Sequence, residues 1–167
     1  SNQTAFAKFS YDGNTVTYTG NVDVSANTGR GGFSAGNADQ VWVSGTGSAV
    51  QLYSVSDNTL QATIPTEVVD FSVMINRHVS IGGNSYLVSG PAFTGDNANG
   101  FFVTDVTDPQ SPQAVMSFIP PKPDGVTNGN NAGAIAYDAE NNRLFTFVTN
   151  FGLVAYDGAD IFPSDPV

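Results

Sequence analysis

One order of events occurs three times along this chain of 167 residues, and it limits what the chain can fold into. The fullest copy occupies residues 85–120: an apolar run SYLVSG, a polar gap, a second run GFFVTDV, a turn at DPQSP, and a run QAVMSFIP that closes on Ile-Pro. Residues 41–65 repeat that order as VWVSG, AVQLYSV, SDNT and LQATIP, and residues 144–161 begin it again as LFTFVTN and GLVAYDGADI. Short runs rich in Val, Thr, Tyr and Phe between Gly, Asn, Asp and Pro read as strands of about five or six residues. Apolar residues at helical spacing are missing from them.

In the third strand of each unit (residues 51–55, 102–106 and 153–156) bulky residues fall on both faces, which predicts burial on both sides. A sheet covered on both faces is a sheet stacked between neighbours. Setting the matching second strands side by side puts Trp42 and Leu87 45 positions apart and Leu87 and Phe145 58 positions apart. Four short strands per unit at roughly 40 to 50 residues is the spacing of a β-propeller blade, the longer interval reflecting inserted loops. A β-sandwich would instead show even strand spacing without the repeated order.

The residues of these units carry a resemblance. VWVSG…AVQLYSVSDNTLQATIP resembles a YVTN-type propeller repeat, and GFFVTDVTDPQSPQAVMSFIP resembles the LVIVD repeat of bacterial surface propellers, together covering residues 32–162. The resemblance implies blade packing rather than a particular chemistry. The expected fold is all-β, with propeller-like stacked four-stranded blades forming an incomplete propeller segment. Residues 1–31 are a hairpin and loop remnant of a blade, 32–65 a blade, 66–120 a blade with an inserted loop, 121–162 a partial blade and 163–167 a tail. About three blades and a remnant fall short of the four to eight that close a ring.

Between the repeats the chain is punctuated by turns. Residues 5–20 read as a hairpin about Asp12-Gly13-Asn14, with Lys8 an edge charge, and the following NVDV is too polar for a buried strand. EVVDFSVMINRHVS is extended and turns at Gly82-Gly83 into the next strand. PAFTGDNAN is an inserted loop, PPKPDGVTNGNN a linker, and the last units are a hairpin, one further strand through GADIF, and a frayed FPSDPV.

Charge is sparse but one-sided: five Lys and Arg against fifteen Asp and Glu, a net charge of −10 and a pI near 4.1. Such a field repels phosphate backbones and anionic lipid headgroups, so neither nucleic acid nor membrane insertion is expected. No run reaches the roughly 18 apolar residues of a membrane span, and no basic and apolar leader opens the chain. The absence of cysteine removes disulfides, thiolate catalysis and zinc–thiolate sites together. Acidity, scarce Lys and abundant Asn, Thr, Ser and Gly match secreted or cell-surface bacterial proteins.

The single histidine, His78, has no Gly-x-Ser-x-Gly elbow to serve and too few companions for zinc, so no catalytic residue and no organic cofactor is assigned. Calcium takes oxygen ligands from loops. Asp138, Glu140 and Asn142 alternate like the first ligands of a calcium loop, although Arg143 stands where Gly should follow, and Asp96, Asn97 and Asn99 form a second oxygen-rich tip. The bland reading is that these residues simply make hairpin turns. Trp42, Tyr53, Tyr86, Phe101, Phe102, Phe145 and Phe147 suit either a sugar-stacking platform or, since all lie in strands, packing between blades. The expected role is a secreted or surface binding or structural module that meets protein or carbohydrate, completed by further blades of a longer chain or by neighbouring copies. The rival is part of a propeller enzyme, a lactonase-like hydrolase or lyase holding a metal in its central channel.

Overall fold

The computed structural model describes residues 5–24, 32–45, 48–65, 67–69, 73–91, 100–126, 133–149 and 151–163. They form four antiparallel sheets that follow one another in chain order. A hairpin, β1 (Ala5–Tyr11) and β2 (Val16–Asp23), comes first. The second sheet is a meander of β3 (Phe33–Ala35), β4 (Gln40–Gly45), β5 (Ser48–Ser54) and β6 (Leu60–Ile64). The third repeats it with β7 (Val73–Ile81), β8 (Asn84–Pro91), β9 (Phe101–Asp105) and β10 (Gln113–Phe118). The fourth has three strands, β11 (Gly133–Asp138), β12 (Arg143–Val148) and β13 (Gly152–Asp157), followed by the helical turn α1 (Gly158–Ile161). Trp42, Leu87 and Phe145 each lie on the second strand of their sheet, as the repeat spacing requires. Among the described residues no helix is long and apolar enough to cross a membrane.

Strand alternation divides the apolar residues among three cores, one in each seam between successive sheets. Val22, Val24, Val43 and Tyr53 fill the first seam. Trp42, Val50, Leu52, Ala62, Ile64, Leu87 and Val106 fill the second. Tyr86, Val88, Phe101, Val103, Leu144, Val148 and Phe162 meet in the third. Neighbours along one strand thus enter different cores: Trp42 faces forward and Val43 back, Leu87 back and Tyr86 and Val88 forward. Burial on both faces therefore holds for β5 and β9. It fails for β13, where Leu153 is 69% exposed because, among the described residues, no sheet covers the outer face of β11, β12 and β13.

Local chemistry explains several junctions. Ile81 pairs with Asn84 across Gly82 and Gly83, whose φ of 60° and 89° are the left-handed values that a two-residue hairpin with the right twist demands. In the first hairpin the register slips between Lys8 and Phe9, and the strand continues past residue 20. Here the structure corrects the sequence reading: Val22 and Val24 are fully buried, because the bulge turns them, with their polar neighbours outward, onto the second sheet.

The chain end differs too. GADI is not strand but helix, begun by Asp157, whose carboxylate accepts the Ala159 N–H at 3.1 Å. The turn folds Ile161 and Phe162 into the third seam, so Phe162 is buried rather than frayed; its ring lies against Tyr86 and Tyr137, and the Tyr86 hydroxyl donates to the Pro163 carbonyl at 2.8 Å. The inserted loop at residues 92–99, part of the linker at 127–132 and residues 164–167 lie outside the described residues.

Candidate functional site

The acidic hairpin tips act first on their own backbones. Asp138 Oδ1 accepts the N–H groups of Glu140 and Asn141 at 3.1 and 3.2 Å, and Oδ2 accepts the Asn141 amide at 2.7 Å. Those bonds, led by the Asn141 side chain, hold the Asp138 carboxyl below its ordinary value. Asn142 points elsewhere: its Oδ1 accepts the Tyr137 hydroxyl at 2.8 Å, and its φ of 49° closes the turn. Asp138 and Asn142 thus serve different partners, and Glu140 stands exposed beside them. Asp96, Asn97 and Asn99 lie outside the described residues. Among the described residues no group of three or more His, Asp or Glu gathers as a metal site would require.

Asp12 and Asp57 repeat the arrangement in their own turns, and backbone or hydroxyl donors lower both carboxyls. Asp39 reaches further and accepts the Ser54 hydroxyl at 2.9 Å and the Ser56 N–H at 3.2 Å, tying the entry of β4 to the turn after β5. We expect thermal midpoints in EDTA and in millimolar calcium to coincide, with Asp138→Ala lowering both modestly and equally. A midpoint that rises with calcium and loses that rise in Asp138→Ala would make the tip an ion site.

His78 faces the second seam rather than open solvent. Its backbone N–H donates to Ser34 Oγ at 2.8 Å, and Asn76, two residues before it on the same face of β7, donates to Ser44 Oγ at 3.0 Å. Ser34, Ser44, Asn76, Ser89 and Thr104 are all buried, making a polar margin to the apolar core around Trp42. Asn76 Oδ1, Ser89 Oγ and Thr104 Oγ1 find no protein partner among the described residues, the condition that buried water relieves. Burial first, and the adjacent Arg77 second, lower the His78 pKa below 6.5. The unfolded chain then takes the proton before the folded one. The contribution of neutral His78 is complete above about pH 6.5 and is lost as pH falls from there to the depressed folded value. Urea midpoints at pH 7.5 and 5 should differ in the native protein and differ less in His78→Gln; an unchanged difference would place the titration elsewhere.

The aromatic residues separate by seam. Trp42, Tyr53, Tyr86 and Phe101 are buried in packing, and Phe102 and Phe145 are partly so. Phe147 is 40% exposed on the outer face of the fourth sheet, beside Leu153 and close to Phe145, Ala134, Ala136 and Ala155. At one margin of that face Arg143 and Asp157 pair at 3.4 Å, an exposed contact of small energetic value. At the opposite end of the molecule Phe9, Tyr11, Val16 and Tyr18 are exposed on the distal half of the hairpin.

No family model matches this chain, and no curated protein does. Among solved structures, the crystal structure of a DUF4623 family protein from Bacteroides eggerthii is similar over 92% of this chain, with a TM-score of 0.55 and 18% sequence identity. The match takes in 40% of that longer chain. At that identity the likeness is one of fold: an all-β chain of successive antiparallel sheets.

A further feature was not assigned from sequence. Between the hairpin and the second sheet lies a cleft of about 310 Å³, lined by Phe6, Phe9, Phe33, Val41 and Val55, with Lys8 at its side. Lys8 is not an edge guard: its ammonium donates to the Val55 carbonyl at 2.7 Å and to Asn58 Oδ1 at 3.1 Å, anchoring the hairpin to the second sheet. The available signal was a cation inside an apolar alternating strand of a chain that has only five Lys and Arg.

Proposed function

We propose that the chain is a binding and structural module of propeller type, working at the bacterial cell surface or outside the cell, whose outer faces are covered by further sheets of the same kind. The observation that carries this reading is the changing cover of one strand face. The forward face of the second strand is buried in the second sheet, at Trp42, and in the third, at Tyr86 and Val88. On the fourth sheet that face carries Phe145, which is half-buried, and Phe147, which is 40% exposed with its cross-strand partner Leu153 at 69%. An apolar sheet face of this kind is the sort of surface that associates. The covering sheets come from a longer chain or from neighbouring copies, and the ligand is a protein or a carbohydrate at the surface. Secretion is supported by the composition, acidic, poor in Lys and rich in Asn, Thr, Ser and Gly.

Light scattering of the 167-residue chain should give a mass above 17.4 kDa that rises with concentration. Phe147→Ser with Leu153→Ser should return it towards the single-chain value. A chain that stays monomeric and soluble at high concentration, unfolding in one cooperative step, would overturn this reading in favour of a small self-contained β fold.

A further inference from the structure

We propose that the cleft between the hairpin and the second sheet binds a small carboxylate with an apolar body, of the size of a short fatty acid or an arylalkanoic acid. This goes beyond the module reading and does not depend on how the outer faces are covered. The cleft, about 310 Å³, lies at the lower end of the range for small-molecule sites. Its walls are Phe6, Phe33, Val41 and Val55 above the buried Val22, and the Phe6 and Phe33 rings meet at 5.2 Å with their planes inclined at 59°. Phe33 nonetheless remains 66% exposed, so apolar ring surface is available to a ligand.

The charge of Lys8 selects the head group. Lys8 is half-buried, and both acceptors of its ammonium, the Val55 carbonyl and the Asn58 amide oxygen, are neutral. An ammonium has three N–H donors, and these bonds use two. Among the described residues no carboxylate pairs with it, although acids outnumber bases three to one in this chain. A partly desolvated cation with a spare donor, beside apolar walls, favours a single negative charge carried on an apolar group. A multiply charged phosphate would face the net charge of −10 with one cation to hold it, and a sugar would leave most of its hydroxyls against Phe and Val.

The test is a backbone-amide NMR titration of the 167-residue chain with 3-phenylpropanoate and, separately, with 3-phenylpropanamide. The acid should shift amides in β1 and near Phe33, Val41 and Val55, and bind about tenfold more tightly than the amide, as expected for one charge-assisted hydrogen bond. Lys8→Met should abolish the preference and Lys8→Arg should retain it. Phe33→Ala should weaken both ligands while leaving their ratio unchanged. Should Lys8→Met fail to fold, the salt dependence of the ratio decides, because the preference must shrink as ionic strength rises. Equal binding of acid and amide, shifts confined to other parts of the molecule, or no shifts at millimolar ligand would overturn the proposal.

Discussion

Trp42→Ala should destabilise the protein by about 3 to 5 kcal/mol, the cost of emptying a core of a large aromatic side chain. Trp42 is 2% exposed and occupies the second seam with Leu52, Ile64 and Leu87, so both four-stranded sheets lose contacts at once. Against a total stability of about 5 to 15 kcal/mol for an ordinary domain, the loss is a large fraction. The denaturant midpoint should be followed by circular dichroism, because Trp42 is the only tryptophan. Phe147→Ala is the matched control, an aromatic residue on the second strand of its own sheet but 40% exposed. Measured at a concentration dilute enough to hold the single chain, it should cost well under half as much. Equal losses at that dilution would mean that the outer face of the fourth sheet is packed within the chain itself.

Gly90→Ala should cost about 1 to 3 kcal/mol through overpacking, although it adds only one methyl group. The space where that methyl would stand is occupied by the Phe101 ring, which is fully buried and stacked on Phe118 at 5.5 Å. The ring is confined from that side as well, so either β8 or β9 must shift. If this is the cause, the cost depends on the ring. In a Phe101→Leu background Gly90→Ala should lose less than it does in the native protein, a coupling measurable by a double-mutant cycle. Strict additivity would assign the effect to the backbone of β8 instead.

Legibility from sequence followed the range of the interactions. Gly82-Gly83, Asp12-Gly13 and Asp57-Asn58 were readable as turns because their conformation is set by the residues themselves and by bonds to the next two or three. The acidic tip at Asp138 was ambiguous for the same reason: an Asp that caps its own turn and an Asp that awaits a cation have the same local sequence. α1 escaped because GADI continues the apolar pattern of GLVAYD, and only the Asp157 cap and the docking of Phe162 against Tyr86 and Tyr137 mark it as a turn of helix.

The all-β class, the strand order and the frame that puts Trp42, Leu87 and Phe145 on equivalent strands follow from the chain alone, since alternation and turn chemistry act over a few residues. Tertiary structure alone decided which faces are covered and which groups meet. Leu153 and Leu52 both sit in third strands, yet one is 69% exposed and the other 1%, because among the described residues a neighbouring sheet covers only Leu52. Lys8 reaches Val55 across 47 residues, so its place beside a cleft depends on two sheets packing together. Burial and long-range bonds belong to pairs of surfaces, and a linear pattern specifies each surface without naming the one that will lie against it.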